Sequence, residues 1–215
     1  MKKVLLLSIC LLTAATMSFG QMTKKELKKE IKAKASKEAQ REAKKYRKMG
    51  WDVAPGSLPL EKMFQESFER QLDRDEKGNR IYLYADGNQV AESKTAGEMA
   101  ALEFAKLNLA GEIQTSVSSL VSANIGNAQL SREEAASTGD IVQSAKNMIA
   151  TELGFIDPAF KIYRNVGDKN IEVQVRVFYD RRQSMDIAKK IVRKELKEKL
   201  KLNEEKLEKI MGINE

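Results

Sequence analysis

Ile171-Glu172-Val173-Gln174-Val175-Arg176-Val177 alternates apolar and polar residues without a break. A period of two sends successive side chains to opposite faces, so the segment reads as a strand with one buried face. Just before it, Gly167-Asp168-Lys169-Asn170 has the composition of a turn, and Phe160-Lys161-Ile162-Tyr163, beyond Asp157-Pro158, that of a partner strand. Strands joined by so short a turn pair antiparallel. Ile81-Tyr82-Leu83-Tyr84-Ala85 supplies a third strand by its aromatic and β-branched content.

The rest of the chain reads as helix. Thr95-Ala96-Gly97-Glu98 has the spacing of a capping box and opens a long helix toward Asn124, which Gly126 ends. Met99, Leu102, Leu109, Ile113, Val117 and Leu120 give it a wide apolar face. Ala96, Ala100, Ala101, Ala105 and Ala110 are small enough for close packing on a sheet. Ser131-Arg132-Glu133-Glu134 repeats the capping spacing, predicting a helix broken at Gly139 that reaches Leu153, with Gly154 as its C-terminal cap. A last helix starts at Ser184, uses Ile187, Ile191, Leu196 and Leu200, and frays into a Lys/Glu-rich tail.

Upstream, a helix beginning near Ser57 or Leu58, with Pro59 in its first turn, carries Leu60, Met63, Phe64, Phe68 and Leu72 on one side. Before it, residues 23–49 make a helix whose stripe of Leu27, Ile31, Ala35, Ala39, Ala43 and Tyr46 is thin and winds, as expected of a helix lying on something. Trp51, in the glycine- and proline-containing break that follows, is expected to anchor this segment. The fold class is therefore α+β: a small antiparallel sheet of about three strands packed against long helices, with an N-terminal basic helix and a C-terminal helix. The expected division is 1–20 signal peptide, 21–56 basic helix and linker, 57–200 α+β domain, 201–215 charged helical tail.

Charge is concentrated. Residues 24–48 hold twelve Lys or Arg against four Glu, a net of +8, while the whole chain is +7. With the +2 of the leader also set aside, the remainder is −3, so the basicity belongs to one segment.

Met1-Lys2-Lys3 followed by an apolar stretch to Ala15 and a small-residue site ending at Gly20 has the layout of a secretory signal peptide. The apolar stretch falls short of the roughly 20 residues that span a bilayer. Cleavage after Gly20 removes Cys10, the single cysteine, from a chain that has no histidine. The expected location is the periplasm or the outer membrane. Cys10 after Leu7-Ser8-Ile9 loosely resembles a lipidation site, but bulky Ile9 makes cleavage after Gly20 the preferred reading.

A chain without histidine or mature cysteine excludes Ser-His and Cys-His nucleophiles, and a zinc site would need carboxylates alone. No nucleophile elbow, phosphate-cradling glycine loop or dinucleotide fingerprint is present, so no cofactor is expected. Carboxylate chemistry remains only through Asp86, Glu92 or Glu98 near a strand-to-helix junction, and Glu98 already has a capping role.

The run Ala100-Ala101-Leu102-Glu103-Phe104-Ala105-Lys106-Leu107-Asn108-Leu109-Ala110-Gly111-Glu112-Ile113, followed by Gln114-Thr115-Ser116-Val117, resembles the alanine-spaced helix of the LPP-twenty lipoprotein family. The resemblance covers residues 80–182. It implies an α+β envelope domain, often membrane-associated, with no agreed catalytic residues. The departure is the lipidation cysteine.

The functional expectation is a non-enzymatic envelope protein, structural or binding an envelope protein partner. Tyr82, Tyr84, Tyr163, Arg176 and Phe178 are expected on the strand face opposite the apolar one, where exposed aromatics and an arginine make a recognition surface. The competing expectation is that the helix spanning residues 59–72 covers them. The alternative function is polyanion or membrane-surface binding by the basic helix, through peripheral contact. Specific nucleic-acid binding is not expected, since only Tyr46 and Trp51 stand near the lysines for stacking.

Overall fold

The computed structural model describes residues 24–212. The signal peptide, Cys10 and the cleavage point after Gly20 lie outside the described residues. Three strands, β1 (Tyr82–Ala91), β2 (Pro158–Val166) and β3 (Asn170–Asp180), form an antiparallel sheet of order β1-β3-β2. Among the described residues seven α-helices surround it: α1 (Lys24–Lys48), α2 (Leu60–Leu72), α3 (Lys94–Asn124), α4 (Arg132–Ser144), α5 (Lys146–Glu152), α6 (Arg181–Leu200) and α7 (Glu204–Met211). The fold is α+β with a small sheet and long helices, as the sequence pattern predicts.

The alternation in β3 decides the layering. Val173, Val175 and Val177 are fully buried against α3, each burial being worth about 1.5–3 kcal/mol. Ala101, Ala105 and Leu109 of α3 face them from above, and Gly87 of β1 lets the helix backbone come close. Beyond the sheet, α3 continues through Ile113, Val117 and Val121 into a helical layer closed by Ile141, Val142, Ile149, Val192 and Leu196. The opposite sheet face carries a second cluster, in which Phe160 and Ile162 meet Leu60 and Phe64 of α2, Ala39 and Ala43 of α1, and Trp51. Trp51 is buried and anchors α1 as expected. The alanine stripe of α1 rests on α2.

Several local expectations are corrected. β1 runs to Ala91 rather than stopping at Ala85, because pairing with β3 carries Asp86-Gly87-Asn88 into the ladder despite their weak strand preference. The cap of α3 is Ser93, whose hydroxyl accepts from the Ala96 N–H, so Thr95 and Glu98 do not form a capping box. Met99 is exposed: two residues from both Gly97 and Ala101, which face the sheet, it points away from it. The break after α4 falls at Ala145 rather than Gly139, while the Ser131–Glu134 capping box forms as predicted. α6 starts three residues early because Asp180 caps it, accepting from Arg182 and Gln183 N–H groups. As far as Gly212 the tail does not fray. It forms α7, and Leu207, Ile210 and Met211 are fully buried in the main core.

Candidate functional site

The five residues expected to form a recognition surface do not share a face. Phe160 lies opposite Arg176 and Ile162 opposite Gln174, which puts Tyr163 opposite Val173 on the α3 side. Tyr82, Tyr84, Arg176 and Phe178 are together on the other face, since Tyr84 pairs with Phe178 and Tyr82 with Asp180. α2 covers that face at Arg176 and Phe178, while Tyr82 and Tyr84 are half-buried. Phe178 is buried, with its ring 5.5 Å from that of Tyr84 and Arg70 of α2 over it. The expectation of an exposed aromatic patch is therefore corrected in favour of cover by α2.

Arg176 explains the cover. Its guanidinium forks onto Asp86, with Nε–Oδ1 2.5 Å and Nη2–Oδ2 2.6 Å, and donates to the Ser67 hydroxyl of α2 at 3.0 Å. It also lies 5.2 Å from the centre of the Tyr84 ring and 5.0 Å from that of Phe160. Burial alone would lower its pKa, but the hydrogen bonds and charge of Asp86 raise it above the usual arginine value, so it stays charged. A charged fork between sheet and helix is a structural tie.

On the α3 side, Glu98 accepts from the Lys161 ammonium and the Tyr163 hydroxyl, each at 2.8 Å, while Lys94 stands 4.0 Å from the centre of the Tyr163 ring. Desolvation pushes the Glu98 carboxyl up, but these bonds and the lysine charges outweigh it, and its pKa is lowered. Burial, reinforced by the bond to Glu98, raises Tyr163 well above the ordinary phenol value. A third cluster joins Glu172 to Arg164 and to Asn88, with Arg164 over the Trp51 ring. Two of the three candidate catalytic acids, Asp86 and Glu98, are thus bound to cations; Glu92 is exposed on the turn before α3. Among the described residues, every buried side-chain nitrogen or oxygen has a partner, and no cluster of three metal-ligating side chains occurs.

The feature that sequence reasoning missed is the sheet edge. The Arg181 N–H donates to the Ile81 carbonyl directly across the β1–β3 register, so odd-numbered residues of β1 turn their backbone groups toward β3. Tyr82, Tyr84, Asp86, Asn88 and Val90 therefore turn theirs outward. The same rule on β2 turns Tyr163 outward, and there Asp52 closes the edge by donating to and accepting from the Tyr163 backbone at 2.8 and 2.9 Å. No strand does this for β1 among the described residues. Asn108 of α3 donates to the Asp86 carbonyl at 2.9 Å, and one helical turn earlier Phe104 is exposed beside the edge. Val90, on the edge itself, is 44% exposed.

The other exposed feature is the outer side of α1, where Lys29, Lys32, Lys34, Lys37, Arg41, Lys44 and Lys48 face solvent. Tyr46 and Trp51 are turned inward against Phe64 and each other, away from any stacking role on this surface. None of the helices among the described residues is long and apolar enough to cross a membrane. Comparison with protein-family models, with curated proteins and with solved structures finds no match for this chain.

Proposed function

We propose that the chain is an exported, non-enzymatic protein of the bacterial cell envelope, of the kind its central helix resembles, and that it works by binding a protein partner at the outer edge of β1. The observation that carries this reading is the asymmetry of the sheet: Asp52 closes the β2 edge, while β1 keeps its outward backbone groups and is flanked by exposed Phe104 and Val90. An open strand edge is a template for strand addition, which natural sheets usually block. The engagement of Asp86 with Arg176 and of Glu98 with Lys161 supports the non-enzymatic part. The test is recovery of the protein in the envelope fraction with Gln21 as its first residue, and its crosslinking there to a partner that Val90→Lys abolishes. Cytoplasmic recovery with the leader intact would reject export, and crosslinking indifferent to Val90→Lys would reject the edge.

A second reading assigns α1 to anionic surfaces. Its alanine stripe is occupied by α2, which leaves the lysine side free to face a membrane, at about 1 kcal/mol per basic residue near anionic lipid. Salt-sensitive co-sedimentation with phosphatidylglycerol vesicles but not phosphatidylcholine vesicles supports it; binding indifferent to lipid charge rejects it.

A further inference from the structure

We infer that the partner at the β1 edge is a second copy of this chain, paired antiparallel through β1 so that two three-stranded sheets become one of six strands. This rests on the reading of β1 as a docking edge and names its occupant. An antiparallel edge is its own complement under a two-fold axis, because outward N–H and C=O groups recur at every second residue on both copies. The residues from Tyr82 to Ala91 contain a single carboxylate, Asp86, and Arg176 holds it, so two copies approach without strong repulsion along the strand.

Charge at the two ends selects the direction. Exposed Arg80 precedes β1 and exposed Glu92 follows it. Antiparallel pairing lays Arg80 of one copy beside Glu92 of the other, twice, whereas parallel pairing sets like charges together. Lys94 does not disturb this, since it lies over the Tyr163 ring on the far side of α3; Arg80 also lies in the field of Glu112. A two-fold axis perpendicular to the sheet keeps α3 of both copies on one face, bringing exposed Phe104 of each toward the other. The Asn108 amide uses one lone pair of the Asp86 carbonyl and leaves the second for the incoming strand. Because Asp52 closes the other edge, addition stops at two copies and does not run on into a fibre.

The test is the mass in solution of the purified full chain by light scattering across a dilution series. The expected result is twice the chain mass, reduced to one by Val90→Lys with an unchanged circular dichroism spectrum. Arg80→Glu and Glu92→Arg, each alone, should weaken the dimer roughly tenfold, and the two together should restore it, as two exposed ion pairs permit. These exposed swaps keep the test valid if Val90→Lys misfolds. A monomer at all concentrations overturns the inference, as does a dimer indifferent to every edge variant. A monomer whose envelope crosslink is still lost in Val90→Lys would leave the docking edge standing with another occupant; loss of neither would remove both.

Discussion

Gly87 of β1 lies so close to α3 that a Cβ placed on it would sit 1.9 Å from the Ala101 carbonyl oxygen and 2.4 Å from the Ala105 backbone nitrogen. The obstacle is backbone, which cannot swing aside as a side chain can. This contact sets how near the long helix lies to the sheet, and hence where Asn108 and Phe104 stand beside the open edge.

Gly87→Ala is therefore expected to destabilise by about 3 kcal/mol or more, since overpacking at a rigid contact moves whole elements. Thermal unfolding should shift down by roughly 2–4 °C per kcal/mol for a chain of this size. Gly139 is the internal control. It lies within α4 with nothing within 4 Å of an added Cβ, so Gly139→Ala is expected to stabilise by about 0.5–1 kcal/mol.

The C-terminal segment is expected to be essential to the core. Leu207→Ala removes a fully buried side chain and should cost about 2–5 kcal/mol, measured by denaturant midpoint. A stop codon after Leu200 should cost more, because it strips Leu202, Leu207, Ile210 and Met211 from the main cluster together. An unaltered midpoint would mean that α7 does not dock.

Breaking the Arg176–Asp86 tie should loosen α2. Replacing Asp86 by asparagine is expected to cost about 1–3 kcal/mol, below the about 3–5 kcal/mol of a fully buried pair, because the Asp86 side chain is 36% exposed. Amide exchange should quicken first around Ser67, the α2 residue that Arg176 also holds. The joint replacement Asp86→Val with Arg176→Met should recover part of the loss.

Acid should weaken the contact between α6 and α7 through Glu204, without undocking the helix, whose Leu207, Ile210 and Met211 stay buried. Hydrogen bonds from Lys197, then Arg193, hold its carboxyl down at about 2, against an ordinary 4.5. A lowered folded-state pKa means that the contribution is complete above 4.5 and is lost as pH falls through about 2. The difference in melting temperature between wild type and Glu204→Gln should be constant near neutrality and shrink across that window. A difference independent of pH would exclude the pairing.

How much of this is legible in the sequence follows the range of the forces involved. The strict alternation of residues 171–177 and the Ser131–Glu134 cap are local patterns, and they predicted a strand and a helix start correctly. Thr95 and Glu98 had the same spacing as a cap, yet Lys161 and Tyr163, more than sixty residues away, claim Glu98. The lysines of the tail disguised Leu207 and Ile210, whose helix packs on α3, the turn after it and α6.

What the amino-acid order determined by itself is the class of fold, the concentration of positive charge in one helix and the absence of histidine, because periodicity and composition need no distant contact. Tertiary structure alone decided which face each aromatic occupies and which edge stays open. Tyr163 went to the α3 side because register, a long-range property, fixes it opposite Val173; both faces of the sheet are covered, so polarity could not sort them. The edge was decided by one bridge, Asp52 to Tyr163, between residues whose separation of over a hundred positions no local pattern spans.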